Sequence, residues 1–255
     1  WDDAEAAAFS GPIGECVYCT RLIGSDPSLV LHGGGNSSVK APVTDITGRS
    51  VDAIHVKGSG WDMGTIAAAG LAPLHLPRLH DLLALDALSD PDMMRELGAA
   101  KLDPGAPNPS VESLLHAFLP HRAVQHSHAD AIINLTNLGD GEAVVRDVYG
   151  DDVVVVPYVM PGFDLARAVR DLWPEAAHAG TVGMVLLNHG LFTFGDDSAT
   201  AYRRHVELIT RAETWLDRHA PAGAGADGGA LAPPPPAVED LAELRRVLSE
   251  VAGRP

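Results

Sequence analysis

The chain has 255 residues, 46% of them hydrophobic and 20% charged, a balance typical of globular rather than disordered proteins. Eighteen basic against 34 acidic residues give a net charge of −16, and aromatic residues make up only 5%. These values argue against a basic nucleic-acid groove, an anionic-membrane surface and a base-stacking platform. They leave room for a phosphorylated small molecule, which needs only a few local donors.

Two cysteines, Cys16 and Cys19, are too few for a disulfide framework, so a reducing compartment is expected, and the chain reads as cytoplasmic. No apolar run approaches eighteen residues, so no membrane partner is expected. The opening WDDAEAAAFSG is acidic and lacks the apolar centre of a secretory leader.

In chain order, residues 15–22 read as a helix entered through Gly11-Pro12, and residues 28–40 as a strand with a glycine-rich turn. Residues 51–56 form a second strand that ends in Lys57-Gly58-Ser59-Gly60. Residues 79–88 look helical, and a proline-rich loop leads to a helix over 111–119 with Ser110 as its N-cap. Strands are expected at 123–131, 152–156, 181–188 and 191–194, and a long helix at 199–219 with apolar spacing at Val206, Ile209 and Trp215. Alternating strands and helices indicate an α/β layered fold. The domain organisation reads as a main domain over 1–219, an Ala/Gly/Pro-rich linker over 220–237 and a C-terminal helix over 238–255.

The strongest chemical signal is His126-Ser127-His128. On a strand, residues i and i+2 project to one face, so both imidazoles can meet one metal ion. A catalytic zinc site commonly uses three protein ligands, and His189, in Asn188-His189-Gly190 at the break of an apolar strand, is the candidate third. Leu31-His32-Gly33-Gly34-Gly35-Asn36-Ser37-Ser38 has the glycines and hydroxyls of an anion-binding turn, and equally those of a plain tight turn. The second glycine turn fails as a dinucleotide fingerprint because Gly64 falls one position late. Glu112, in the first turn of its helix, is stabilised there by the macrodipole and is also a candidate general acid/base. Cys16 and Cys19 share one helix face and are expected to pack in the core.

Taken in order, Gly35-Asn36, Gly58-Ser59-Gly60, Ser110-Val111-Glu112, His126-Ser127-His128 and His189-Gly190 resemble the class II aldolase/adducin family. The fuller strings LHGGGNSSVK, VKGSGWDM, PSVESLLHAFLP and LLNHGLFTFGDD are most similar to the aldolase half of bifunctional rhamnulose-1-phosphate aldolase/short-chain dehydrogenases. The resemblance implies a class II aldolase-like three-layer fold, a central, mainly antiparallel sheet flanked by helices, assembled as a homotetramer with sites between subunits. It implies zinc on His126, His128 and His189, with manganese or cobalt as alternatives, and Glu112 as the proton-transfer carboxylate. Gly35, Asn36, Ser59, Gly60 and Ser110 would hold a substrate phosphate, with Lys57, a departure from the family's usual neutral residue, adding a charged contact. Val111 stands where a second serine is often found. The family's interface tyrosine matches either Tyr149 or Tyr158. The implied reaction is retro-aldol cleavage of a ketose 1-phosphate through a metal-stabilised enediolate. A metal-dependent decarboxylase or epimerase of a sugar phosphate or sugar acid, and a non-catalytic adducin-like scaffold, are the alternatives.

Overall fold

The computed structural model describes residues 1–219 together with 243, 245–249 and 251. It divides into two compact units, Trp1–Leu216 and Asp217–Pro255. The linker expected over 220–237 lies outside the described residues, as does much of 238–255, whose described residues are helical.

The first unit opens with the short helix α1 (Asp3–Ala6) and α2 (Gly11–Gly24), followed by strands β1 (Asn36–Lys40), β2 (Val43–Thr44), β3 (Ser50–Val51), β4 (Ala53–Lys57) and β5 (Leu71–His75). Helices α3 (Leu76–Leu83), α4 (Asp90–Ala99) and α5 (Ser113–Phe118) lead to β6 (Ala123–Ser127). Then come α6 (Asp130–Thr136), α7 (Gly141–Tyr149), β7 (Val153–Val156), α8 (Phe163–Ala176), β8 (Gly183–Leu186), β9 (Gly190–Gly195) and α9 (Ser198–His219).

Seven strands form one sheet in the order β5-β4-β1-β6-β9-β8-β7. Every neighbouring pair is antiparallel except β7–β8, which α8 joins as a parallel crossover. Alternation along the strands separates two buried faces. Val154, Val156, Val124 and Phe192 pack with α3, α4, α5 and α8 on one face. Val153, Val155, Val185 and Leu191 pack with α6, α7 and α9 on the other, where Val39 also meets α2. The all-valine β7 is therefore buried on both sides, as an unbroken apolar strand requires. No helix among the described residues is long and apolar enough to cross a membrane.

Several boundaries differ from expectation. The first strand begins at Asn36 rather than Ser28, because His32 and Gly35 adopt positive φ (52° and 59°) and turn the chain before it. The helix expected over 79–88 runs from Leu76 to Leu83, opened by Pro77 in its first turn, where the proline's preset φ fits. The helix expected over 111–119 spans only Ser113–Phe118; Ser110 does not cap it, but its Oγ accepts the Glu112 N–H at 3.2 Å. The strand expected over 123–131 stops at Ser127, and Ala131, Ile132 and Leu135 instead follow helical spacing in α6. Cys16 and Cys19 are buried and unpaired, and burial raises the Cys16 thiol to about 12, so neither is a nucleophile.

Candidate metal centre

His126 lies on the sheet face that meets α5, stacked on Phe192 across the β6–β9 ladder with ring centroids 4.0 Å apart. His128 follows two residues later, just past the strand end. His189 sits in the tight turn between β8 and β9, which returns the chain beside β6. One nitrogen from each ring lies within 4.8 Å of the others. The three imidazoles, one on β6, one just past its end and the third from a distant turn, thus converge at one point.

The donor set fits a divalent ion. His126 Nδ1 lies 3.0 Å from the Leu191 carbonyl, which can only accept, so Nδ1 carries the proton and Nε2 presents a lone pair. That Nε2 is 3.1 Å from His128 Nε2. Two zinc-bound nitrogens at bond lengths of about 2.0–2.1 Å stand about 3.3 Å apart at a tetrahedral angle. Burial lowers the pKa of all three histidines, most strongly for the fully buried His126, so the rings are neutral and free to donate lone pairs. Gly190 is required beside them: a Cβ there would lie 2.3 Å from the Ser127 carbonyl oxygen.

The turn that aims His189 is strained. Asn188 holds φ at 57°, and its side chain donates to Asn137 Oδ1 at 2.6 Å. Asparagine tolerates this left-handed region, and glycine enters it freely. Asn188→Gly is expected to keep zinc affinity within roughly tenfold, the loss of one or two hydrogen bonds. Asn188→Val adds about 1–3 kcal/mol of backbone strain, and should lower melting temperature and zinc affinity together. Calorimetric zinc titration and thermal melts check both.

Glu112 closes the ligand face. Its Oε1 lies 3.3 Å from His189 Nε2 and its Oε2 3.5 Å from His126 Nε2. Burial pushes its carboxyl pKa up, against the opposing pull of His189, the Asn36 hydrogen bond and Lys57. Asn36 Nδ2 donates to Glu112 Oε2 at 2.7 Å and to Ser110 Oγ at 3.1 Å. Both amide hydrogens of Asn36, expected as an anion donor, are therefore spent inside the protein. Ser110 Oγ accepts from Asn36 and from the Glu112 N–H, which fills its lone pairs and leaves its own O–H to donate.

The glycine turns meet beside this cluster. A Cβ on Gly33 would stand 3.2 Å from Gly60 Cα, and one on Gly34 would stand 3.5 Å from His128 Nδ1. Gly35 is obligatory twice over, through its φ of 59° and a 2.8 Å approach to the His126 carbonyl. Two backbone donors of these turns are already used: Gly34 N–H bonds Leu31 O, and Ser59 N–H bonds Asn108 O at 2.8 Å. Lys57 is 2% exposed, and its Nζ donates to the Gly33 carbonyl at 3.0 Å. Burial lowers its pKa to about 8, with Asp62 and Glu112 holding the charge in place. Of the two tyrosines, Tyr149 is buried with its hydroxyl spent on the Leu208 carbonyl at 2.8 Å, and Tyr158 is 53% exposed.

Sequence reading missed His116 and His205, and took Ser38, a buried residue of β1, as part of an anion-binding turn. His116 stands four residues after Glu112, one turn along α5, and that spacing was the available signal. His205, on α9, bonds Ser127 Oγ at 2.7 Å and Thr193 Oγ1 at 2.9 Å, which ties the middle of the His-x-His segment to α9 from the opposite sheet face. Nothing in the local sequence marks it.

A model of the Class II Aldolase and Adducin N-terminal domain family matches residues 14–216. The uncharacterized oxidoreductase YuxG of Bacillus subtilis (strain 168) is 38% identical over 217 residues, which cover 85% of this chain and 31% of that protein. The chain thus spans about a third of the length of the curated relative it matches. Among solved structures, the N-terminal class II aldolase domain of a conserved Thermoplasma acidophilum protein is 43% identical, with a TM-score of 0.76 and coverage of 82% of this chain and 95% of that one. The L-fuculose-1-phosphate aldolase of Thermus thermophilus is 19% identical, with a TM-score of 0.52, and the match covers 82% of this chain and 98% of that one; it shares the fold.

Proposed function

Because this chain belongs to the Class II Aldolase and Adducin N-terminal domain family, we propose that it is a divalent-metal-dependent aldolase that cleaves a ketose 1-phosphate or related sugar phosphate by a retro-aldol reaction. The observation that carries the reading is the convergence of three neutral imidazoles on one point with a buried carboxylate against the same face. Three nitrogen ligands suit zinc and leave a coordination position for substrate. When bound, the cation supplies Lewis acidity, drawing off the negative charge that develops on the substrate oxygens as the carbon–carbon bond breaks.

The protein's own groups do the rest. Cleavage passes the proton of the hydroxyl beside the breaking bond to the Glu112 carboxylate, releases an aldehyde, and leaves the electron pair on the ketone-side carbon. That carbon must then be protonated. Glu112, held by Asn36 and raised in pKa by burial, is placed to carry that proton. The Ser110 hydroxyl and the Lys57 ammonium supply donors for the distant anionic group, so its binding positions the reacting bond. A lysine buried beside the site of a chain with net charge −16 is the feature that favours an anionic substrate. YuxG is described as an oxidoreductase, but this chain corresponds to less than a third of it, and the cluster of imidazoles and carboxylate calls for no hydride transfer.

The test is a screen of zinc-loaded protein against L-fuculose 1-phosphate and other ketose 1-phosphates, with aldehyde and dihydroxyacetone phosphate as the products measured. Release of both supports the lyase. Carbon dioxide release, or interconversion of substrate epimers without cleavage, overturns it in favour of another reaction on this scaffold. Protein that never takes up a divalent ion, purified without chelator, overturns enzymatic function altogether.

A further inference from the structure

Behind Glu112 lies a run of buried side chains that leads away from the imidazole cluster. Ser38 and His116 are fully buried, and Asn36 is 4% exposed. Asn36 and Ser38 alternate on β1 and face the same side of the sheet as His126, and His116 reaches them from α5. His116 Nδ1 lies 2.8 Å from Ser38 Oγ, and its Nε2 bonds Asn36 Oδ1. Asn36 Nδ2 then bonds Glu112 Oε2.

The direction of every bond in this run follows from its end. A carboxylate accepts and does not donate, so Asn36 must turn its NH₂ toward Glu112 and its carbonyl oxygen toward His116. A carbonyl oxygen needs a donor, so His116 carries its proton on Nε2. Burial holds the ring neutral, with its pKa lowered to about 3, so Nδ1 has only a lone pair and the Ser38 hydroxyl must donate to it. If Asn36 flipped, its oxygen would face the Glu112 carboxylate with no hydrogen between them. A lone asparagine amide has two nearly equal orientations; here the carboxylate in front selects one, and the His116 N–H behind holds the amide oxygen in place.

We propose that His116 is a positioning residue for Glu112, acting through Asn36 in the buried relay Ser38–His116–Asn36–Glu112. This rests on the reading of Glu112 as the proton-transfer group. Asn36 thereby serves the carboxylate, and the anionic part of the substrate is left to the other donors, Ser110 and Lys57 among them.

Two measurements test it. The first needs no substrate: side-chain nitrogen NMR of metal-free protein labelled at histidine, with the His116 signals assigned by their loss in His116→Gln. A neutral ring protonated on Nε2 is the expected result, and a ring protonated on Nδ1 overturns the relay. The second is kinetic, on the ketose 1-phosphate that turns over fastest. His116→Leu is expected to lower kcat roughly 10–100-fold, the usual cost of losing a supporting hydrogen-bond partner, with KM and bound zinc unchanged. His116→Gln, whose side-chain amide can still donate to Asn36 Oδ1, should recover most of the loss. Equal losses in the two variants, an effect confined to KM, or loss of zinc would each overturn the proposal. Should His116→Leu fail to fold, the NMR result and the Gln variant still decide. If Glu112→Gln is inactive while His116→Leu matches wild type, the relay fails alone; if Glu112→Gln is fully active, the reading of Glu112 fails, whatever the tautomer.

Discussion

His189→Ala is expected to lose bound zinc and turnover together, from about one ion per chain to a small fraction and with kcat/KM down by about 10³ or more. Two imidazoles hold a labile divalent ion poorly, and the Lewis acidity lost with it accounts for several kcal/mol of transition-state stabilisation. His126→Ala should give the same result, but it also empties a fully buried position stacked on Phe192 and removes one hydrogen bond to the Leu191 carbonyl. That variant should therefore melt lower even with metal removed, because a cavity is left behind and a buried hydrogen bond is lost. His189 is 11% exposed and its Nδ1 has no protein partner, so its truncation perturbs the fold less. Melting curves in chelator separate the two effects: chelated His189→Ala should match chelated wild type, and chelated His126→Ala should not. A His189→Ala protein that keeps a full ion per chain and its turnover would remove the centre from the mechanism.

The parts of this site legible in the sequence are those that local rules impose. His126-Ser127-His128 is a strand-period pair, Gly35 and Gly190 are forced by backbone approach, and the apolar run of β7 is buried on both faces. The central sheet and its flanking helices follow from the same periodicities and from the family resemblance. What escaped is what tertiary contact decides. The four residues after Ser127 look like more strand, yet Asp130 opens a helix because Ala131, Ile132 and Leu135 find a core to cover beside α7 and α9. Asn36 reads as a free donor in a glycine turn. Only the arrival of α5 shows its amide committed to Glu112 and held from behind by His116, some 80 residues away in sequence. Hydrogen-bond direction in a buried network is a property of the whole network, so no local pattern announces it.

Glu112→Gln is the complementary experiment, expected to keep zinc and lose turnover, with kcat reduced roughly 10²–10⁴-fold, the range for removing a positioned proton-transfer group. The substitution conserves shape. Asn36 Nδ2 can still donate to the new amide oxygen, so the relay behind it survives and the three imidazoles keep their places. What disappears is a group that can take up and release a proton. Because shape is kept, KM for the sugar phosphate should change little, and the loss should fall on kcat, the signature of an interaction made only along the reaction. Glu112→Asp makes the geometric version of the same point. It can carry a proton but stops one methylene short of His189 and Asn36, so its loss measures placement and not proton capacity. An intermediate rate for Asp and a far lower one for Gln assigns Glu112 to proton transfer. Full activity in Glu112→Gln would mean that the proton reaches the substrate carbon by another route, and loss of zinc in that variant would make the carboxylate a fourth holder of the ion.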